Sequence, residues 1–481
     1  MSTRWNLRSD RRAWLQRIAR GAAAGVVGGR AGFGLNWAGL MRARAVALGS
    51  EVPGSLEPIR SCILVFQYGG PSHLDTFDMK STASSETRSE FREIATSLPG
   101  VNVCEHLPHM ARVMHKVTQI RSMSHTNRLH DSAATEVLTG YPAPNGDVEN
   151  FAPFPQFYPS FGSTMSFLRH ASACDVPFAA LPWAFHNVVD VPCQGGGFLG
   201  NRYDPFQISV DPAQVTYNAT MLERPDDLSF DRIADRLGLL SNFERGPSTT
   251  CMQDKVAGGD VCTQGGRPAR RGGIPRRANV DLEDRATREP YGMYDSQPRG
   301  GGVGAENAYA QNMRGQNLLL ARRLVEVGVP FVNVYDYKQQ GQNWDAHSDN
   351  FGQHRNYLLP AADRGISALI DDLDERGLLD STLVVVTGEF GRTPKINGNG
   401  GRDHWPDCYT VLLAGGGAKR GFVYGASDRL GAYPLEKPVS PADLAATISW
   451  RFGVDPRTAV RDTLDRPHRI AEGTPVRELF V

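Results

Sequence analysis

The feature that most constrains this chain is an alternation. Short apolar, β-branched runs at 61–68 (SCILVFQY), Phe331–Tyr335 (FVNVY), 383–387 (LVVVT) and 409–414 are separated by stretches with helical apolar spacing. A run without polar alternation is the pattern of a strand buried on both faces. Residues 317–327 and 356–376 read as amphipathic helices, stopped by Gly328 and Gly377. Such an order predicts βαβ units: an α/β fold, as a three-layer α/β/α sandwich around a largely parallel sheet. In open sheets of this kind, ligands bind beyond the carboxyl ends of the strands.

The chain has 481 residues, 40% of them hydrophobic, enough for a large core. Its 52 basic and 52 acidic residues cancel, which removes any bulk electrostatic case for nucleic-acid binding. No apolar run reaches the ~20 residues of a membrane span, so the mature chain is expected to have none. Residues 1–47 read as a twin-arginine signal. Arg11-Arg12 precedes a weakly hydrophobic Gly/Ala-rich stretch and the small-residue sites around Ala43–Ala47. An exported protein, periplasmic or in the cell envelope, is the expectation, with one α/β domain over 48–481. Within it, 246–304 is rich in Gly, Arg and Pro and reads as a loop-rich insertion. The seven cysteines show no zinc-finger spacing. Cys62 and Cys408 sit in apolar runs; Cys251 and Cys262 flank a polar loop and could pair if the protein is exported.

Polar clusters mark four expected strand ends. His73, Asp75 and Asp78 follow the first run, and Asp345, His347 and Asp349 follow Phe331–Tyr335. Glu389 and Arg392 follow 383–387, and Asp403-His404 precedes 409–414. Mixed imidazole and carboxylate ligands suit one or two divalent ions, and zinc, manganese or iron better than calcium. The candidate ligands are His73, Asp75, Asp345, His347, Glu389, Asp403 and His404. A further segment, HTNRLHDSAATEVLTGYP (125–142), places His130, Asp131 and Ser132 at the start of a helix read over 132–138. A helix N-terminus suits a nucleophile or an oxyanion site. It equally suits Asp131 as an N-cap.

FQYGGPSHLDTFD, HLPHMARV, the Leu138-Thr139-Gly140 helix end, NWDAHSDNF, GEFGRTP, GRDHWP and PADLAATISWRFGVDP together resemble the bacterial proteins grouped as domain of unknown function 1501. More distantly they are similar to the alkaline phosphatase and sulfatase superfamily. That resemblance implies an alkaline-phosphatase-like sandwich with a metal site at the strand ends and small anionic substrates, phosphate or sulfate esters. It implies that Asp345, His347 and His404 hold one metal and that Glu389, with His73 or Asp75, shares it or holds a second. Arg392 would neutralise the anion. Sulfatases carry a nucleophile ten residues before the glycine of the helix end, and here that position is His130. His130 is therefore expected as nucleophile or ligand, beside Asp131 and Ser132. The alternative is a non-catalytic metal- or anion-binding protein that keeps the fold.

Overall fold

Eight strands form the central sheet: β1 (Ser61–Phe66), β2 (Val117–Met123), β3 (Phe178–Leu181), β4 (Phe206–Gln207), β5 (Phe331–Tyr335), β6 (Thr382–Thr387), β7 (Tyr409–Gly415) and β8 (Phe422–Tyr424). Their order is β8-β2-β7-β6-β1-β5-β3-β4. The computed structural model describes residues 56–168, 176–209, 279–292, 309–336 and 343–481. The twin-arginine segment, the Cys251 and Cys262 loop and most of 246–304 lie outside these residues.

The sheet is mixed and mostly parallel. β1 pairs in parallel with β5 and β6, Val65 facing Val334 on one side and Val386 on the other. Only β7 runs against its neighbours, β2 and β6. Every residue of β1, β5 and β6 is buried. That requires cover on both faces, and two groups of helices provide it. One group is α1 (Pro108–Val113), α4 (Tyr309–Glu326) and α5 (Leu359–Glu375); the other contains α2 (His130–Thr139), α3 (Phe161–Leu168) and α6 (Pro441–Arg451). At the end of α2, Gly140 adopts φ 77, and a Cβ there would lie 2.5 Å from the Ala445 methyl. Glycine thus both terminates α2 and lets it touch α6.

The topology brings the polar clusters together. β1, β5 and β6 are parallel, and β2 is parallel to them through β7, so all four end at one edge. β7 enters from that same edge. The segments after Phe66, Met123, Tyr335 and Thr387, and the segment before Tyr409, therefore share one rim.

Three local features differ from the sequence reading. Helix α2 begins at His130, with Leu129 rather than Asp131 as N-cap. Its free N–H groups are satisfied from outside: Asp147 accepts from Leu129 N at 3.0 Å and Glu149 from His130 N at 3.3 Å. The predicted 356–376 helix is interrupted. Pro360 supplies no N–H, and the preceding turn, His354–Leu358, is a π-helix. Finally, 279–292 is ordered within the expected insertion. Tyr291 is buried there, and its hydroxyl donates to Asp372 at 2.9 Å.

Candidate metal centre

Glu389 lies two residues beyond β6 and is fully buried. The Gly69 N–H donates to both its oxygens, at 2.8 and 3.0 Å. Gly69 has φ 108, and a Cβ there would meet the backbone nitrogens of Asp345 and Trp344 at 2.5 and 2.6 Å. Only glycine permits this approach, which closes the loop after β1 over the Asp345 segment.

Three histidines then converge on Asp345 in the same way. His130 Nδ1 lies 2.6 Å from Glu389 Oε1, His347 Nδ1 2.8 Å from Asp403 Oδ1, and His404 Nδ1 2.6 Å from the Arg128 carbonyl. Each Nδ1 faces an acceptor, so each Nδ1 carries a proton. Each Nε2 is turned inward: His130 Nε2 is 3.2 Å from Asp345 Oδ2, while His347 and His404 Nε2 are 3.0 and 3.2 Å from Asp345 Oδ1. His347 and His404 Nε2 are 3.0 Å apart. The His347 and His404 Nε2 lone pairs and the Asp345 carboxylate, crowded at this spacing, repel unless positive charge or a proton sits among them.

Arg392 supplies part of that charge, since its Nη2 lies 2.6 Å from Asp345 Oδ1. Its remaining donors go to the carbonyls of Gly69, Gly70 and Arg402, and the side chain is fully buried. Although burial opposes it, the charges of Arg392 and His130 hold the Asp345 carboxyl well below the usual carboxylate range. Burial would lower the His130 pKa; the Asp345 and Glu389 carboxylates outweigh it and raise it to about 9, so in the absence of an ion the ring is a cation facing Asp345 through an Nε2 proton that a bound metal would replace. His404 moves down, chiefly through burial.

These residues fit a divalent ion. His130, Asp345 and His404 offer ligand atoms that all lie within 4.8 Å of one another. Two ligands of a tetrahedral zinc, each at ~2.05 Å, are about 3.3 Å apart, close to the spacing found here. Histidine ligands whose other ring nitrogen is held by a carboxylate or carbonyl are the usual outer arrangement of such sites. His347 and Asp403, with side chains 44% and 54% exposed, form the open side.

Other candidate residues are engaged elsewhere. Arg402 grips Asp75 with Nε–Oδ2 at 2.8 Å and Nη2–Oδ1 at 3.0 Å, and Ser72 and Asn350 also donate to it. His73 Nε2 lies 2.8 Å from the Gly431 carbonyl. Neither residue hydrogen-bonds to the centre. Ser132 Oγ donates to Asp147 at 2.6 Å and Asp131 Oδ2 accepts from Asn150 N at 2.7 Å. Among the described residues, no serine, threonine or cysteine hydrogen-bonds to the side chains of His130, Asp345, His347 or His404. Arg392 faces Asp345 and backbone carbonyls with most of its donors, and its side chain is fully buried. The Arg128 carbonyl was not foreseen, because a backbone acceptor leaves no mark in a sequence.

Fold and site define an α/β protein with a histidine-rich candidate metal centre at the carboxyl edge of its sheet. The chain belongs to the family described as "Protein of unknown function (DUF1501)", which it matches over residues 59–480. No curated protein matches it in sequence. Among solved structures it is similar to a phosphonate monoester hydrolase from Silicibacter pomeroyi, 14% identical, with a TM-score of 0.40 over 88% of this chain and 76% of that one. An alkaline phosphatase PafA mutant is 8% identical, with a TM-score of 0.42 over 89% and 100%. A sulfatase from Pseudoalteromonas sp. is 12% identical, with a TM-score of 0.37 over 83% and 68%. These likenesses concern the path of the chain and carry no chemistry to it.

Proposed function

We propose that this chain is an exported, metal-dependent hydrolase of phosphate or sulfate esters. The observation that carries the reading is the common posture of His130, His347 and His404, each tied through Nδ1 and each presenting Nε2 to Asp345. A bound divalent ion would polarise an ester oxygen and acidify water. Glu389 fixes the His130 tautomer, and Arg392 keeps Asp345 ionised and aimed. His347 stands at the exposed mouth, backed by Asp403, where an anionic ester has access. Since no hydroxyl or thiol among the described residues bonds to the four ligand side chains, water is the attacking group in this reading. The ester class follows from the motif resemblance; export follows from the twin-arginine segment.

Protein purified without chelator should carry a transition metal and hydrolyse aryl phosphate or aryl sulfate esters. Chelation should abolish turnover, and the metal should restore it. The burial of Arg392 and its engagement with Asp345 and backbone carbonyls favour a second reading, a metal-binding protein without catalysis. Stoichiometric metal with no turnover on either ester class would select it.

A further inference from the structure

A separate group of buried oxygens lies beyond His130. Asp131 is fully buried, and its Oδ1 meets no partner in hydrogen-bond geometry among the described residues, although the Asn187 side chain is near enough to favour its charged form. Among the described residues none bonds to the hydroxyl of Tyr68, fully buried, or to Asn187 Oδ1, on a side chain 7% exposed. Glu149 joins them, since Asn187 Nδ2 donates to its Oε2 at 2.6 Å. The Tyr68 ring lies edge-on to His130, centroids 5.5 Å apart, and 4.7 Å from Phe185, two residues before Asn187. The loop after β1, the first turn of α2, the 147–150 loop and the loop after β3 thus meet at one place.

Buried orphan oxygens call for an occupant. Water could satisfy two acceptors and one hydroxyl, but it would bring no charge to match the two carboxylates. Neither Asp131 nor Glu149 pairs with a lysine or arginine among the described residues, and for Asp131, which is held away from water, an unpaired carboxylate is costly. Glu149 spends one N–H contact on each oxygen, from His130 N and from Asn187 Nδ2. Each carboxylate oxygen keeps a second lone pair.

We propose that Tyr68, Asp131, Glu149 and Asn187 form a second cation site, lined by oxygen and taking a hard divalent ion of the calcium or magnesium type. Oxygen-only ligands, two of them carboxylates, are what such ions select, whereas the His130–Asp345–His404 centre suits softer metals. The site shares no ligand with that centre. Its cation would pin the 147–150 and 185–187 loops to the start of α2, the turn that holds His130. Glu149 is only half buried, which opens a way in from solvent.

Terbium(III) is an oxygen-seeking stand-in for calcium whose emission is sensitised by a tyrosine ring at close range, so Tyr68 is a built-in reporter. Terbium titrated into the full chain should give saturable emission, displaced by calcium and not by zinc. Tyr68→Phe should remove most of the emission while calorimetry still detects calcium. Asp131→Asn should weaken calcium binding by about tenfold or more, because the charge of a hard-ion site sets its affinity. Should Asp131→Asn not fold, Glu149→Gln makes the same test, with transition-metal content expected at the wild-type level. Emission that persists in Tyr68→Phe, or calcium binding untouched by both carboxylate variants, would overturn the proposal and leave ordered water as the occupant. Either result leaves the metal content of the histidine centre as an independent measurement.

Discussion

Glu389 Oε1 lies 2.6 Å from His130 Nδ1, and both side chains are fully buried. The carboxylate lies two residues after β6 and the imidazole opens α2, 259 residues apart in the chain. Their contact decides which imidazole nitrogen faces the metal centre. Glu389→Gln keeps the shape and removes the charge. An outer-shell change of this kind costs about 10–100-fold in metal affinity. Competition against a chromophoric chelator should show that loss. Asp403→Asn, at an exposed position, should show a smaller one. Equal losses would mean that burial is not what gives Glu389 its leverage.

His404→Ala should strip most of the transition metal, because a neutral imidazole ligand is poorly replaced by water. The metal also stabilises the fold by mass action, by about 4 kcal/mol at a free concentration 1,000-fold above Kd. Thermal unfolding with and without chelator should therefore differ in wild type and nearly coincide in His404→Ala. Full metal retention in the variant would remove His404 from the ligand set.

Asp75 makes the opposite prediction. It sits in a bidentate ion pair with Arg402, both side chains fully buried, and burial is outweighed by Arg402 so that its pKa falls to about 2. Removing one partner of such a pair leaves a buried charge and costs about 3–5 kcal/mol. Asp75→Ala should lower the urea midpoint accordingly, with metal content unchanged in the protein that remains folded. Metal loss ahead of unfolding would return Asp75 to the centre.

The contrast between His404 and Asp75 marks how far the sequence could be read. The buried strands were legible because a run such as LVVVT has one physical use in an α/β chain. The edge they share followed from their parallel order, and with it the neighbourhood of Asp345, His347, Glu389 and His404. What a sequence does not carry is the direction of a side chain within a turn. His73-Leu74-Asp75 is one 3₁₀ turn, and Asp75 is aimed by Arg402, 327 residues away. Arg392 has the same history: four of its acceptors are backbone carbonyls. The start of α2 was read two residues late because its caps, Asp147 and Glu149, come from a distant loop instead of from the N-cap position.

The proposal of export predicts a shortened mature chain. Protein isolated from the native host should lack about 45 N-terminal residues, since a twin-arginine segment is an address removed after transport. Intact-mass measurement decides this. A terminus at Met1 or Ser2 on the bulk of the protein would contradict export.

His354 sets a pH dependence that can be isolated. The ring is fully buried; its Nδ1 bonds the Asn350 carbonyl at 2.7 Å, and Nε2 has no partner among the described residues. Burial lowers its pKa to about 4, against the opposing pull of Asp75. The folded state therefore holds the neutral ring, while the unfolded chain takes up a proton near pH 6.5. The stability this contributes is complete above pH 6.5 and is lost as pH falls through 4. At ~1.36 kcal/mol per pKa unit, about 3 kcal/mol is at stake across that window. His354→Phe fills the space, keeps an edge available to Trp344 and removes the titration. Urea unfolding at pH 7 and pH 4 should show a smaller fall in stability for the variant than for wild type, by an amount of that order. Parallel pH profiles for the two proteins would show that the imidazole is protonated without cost and that the ring is better hydrated than its burial indicates.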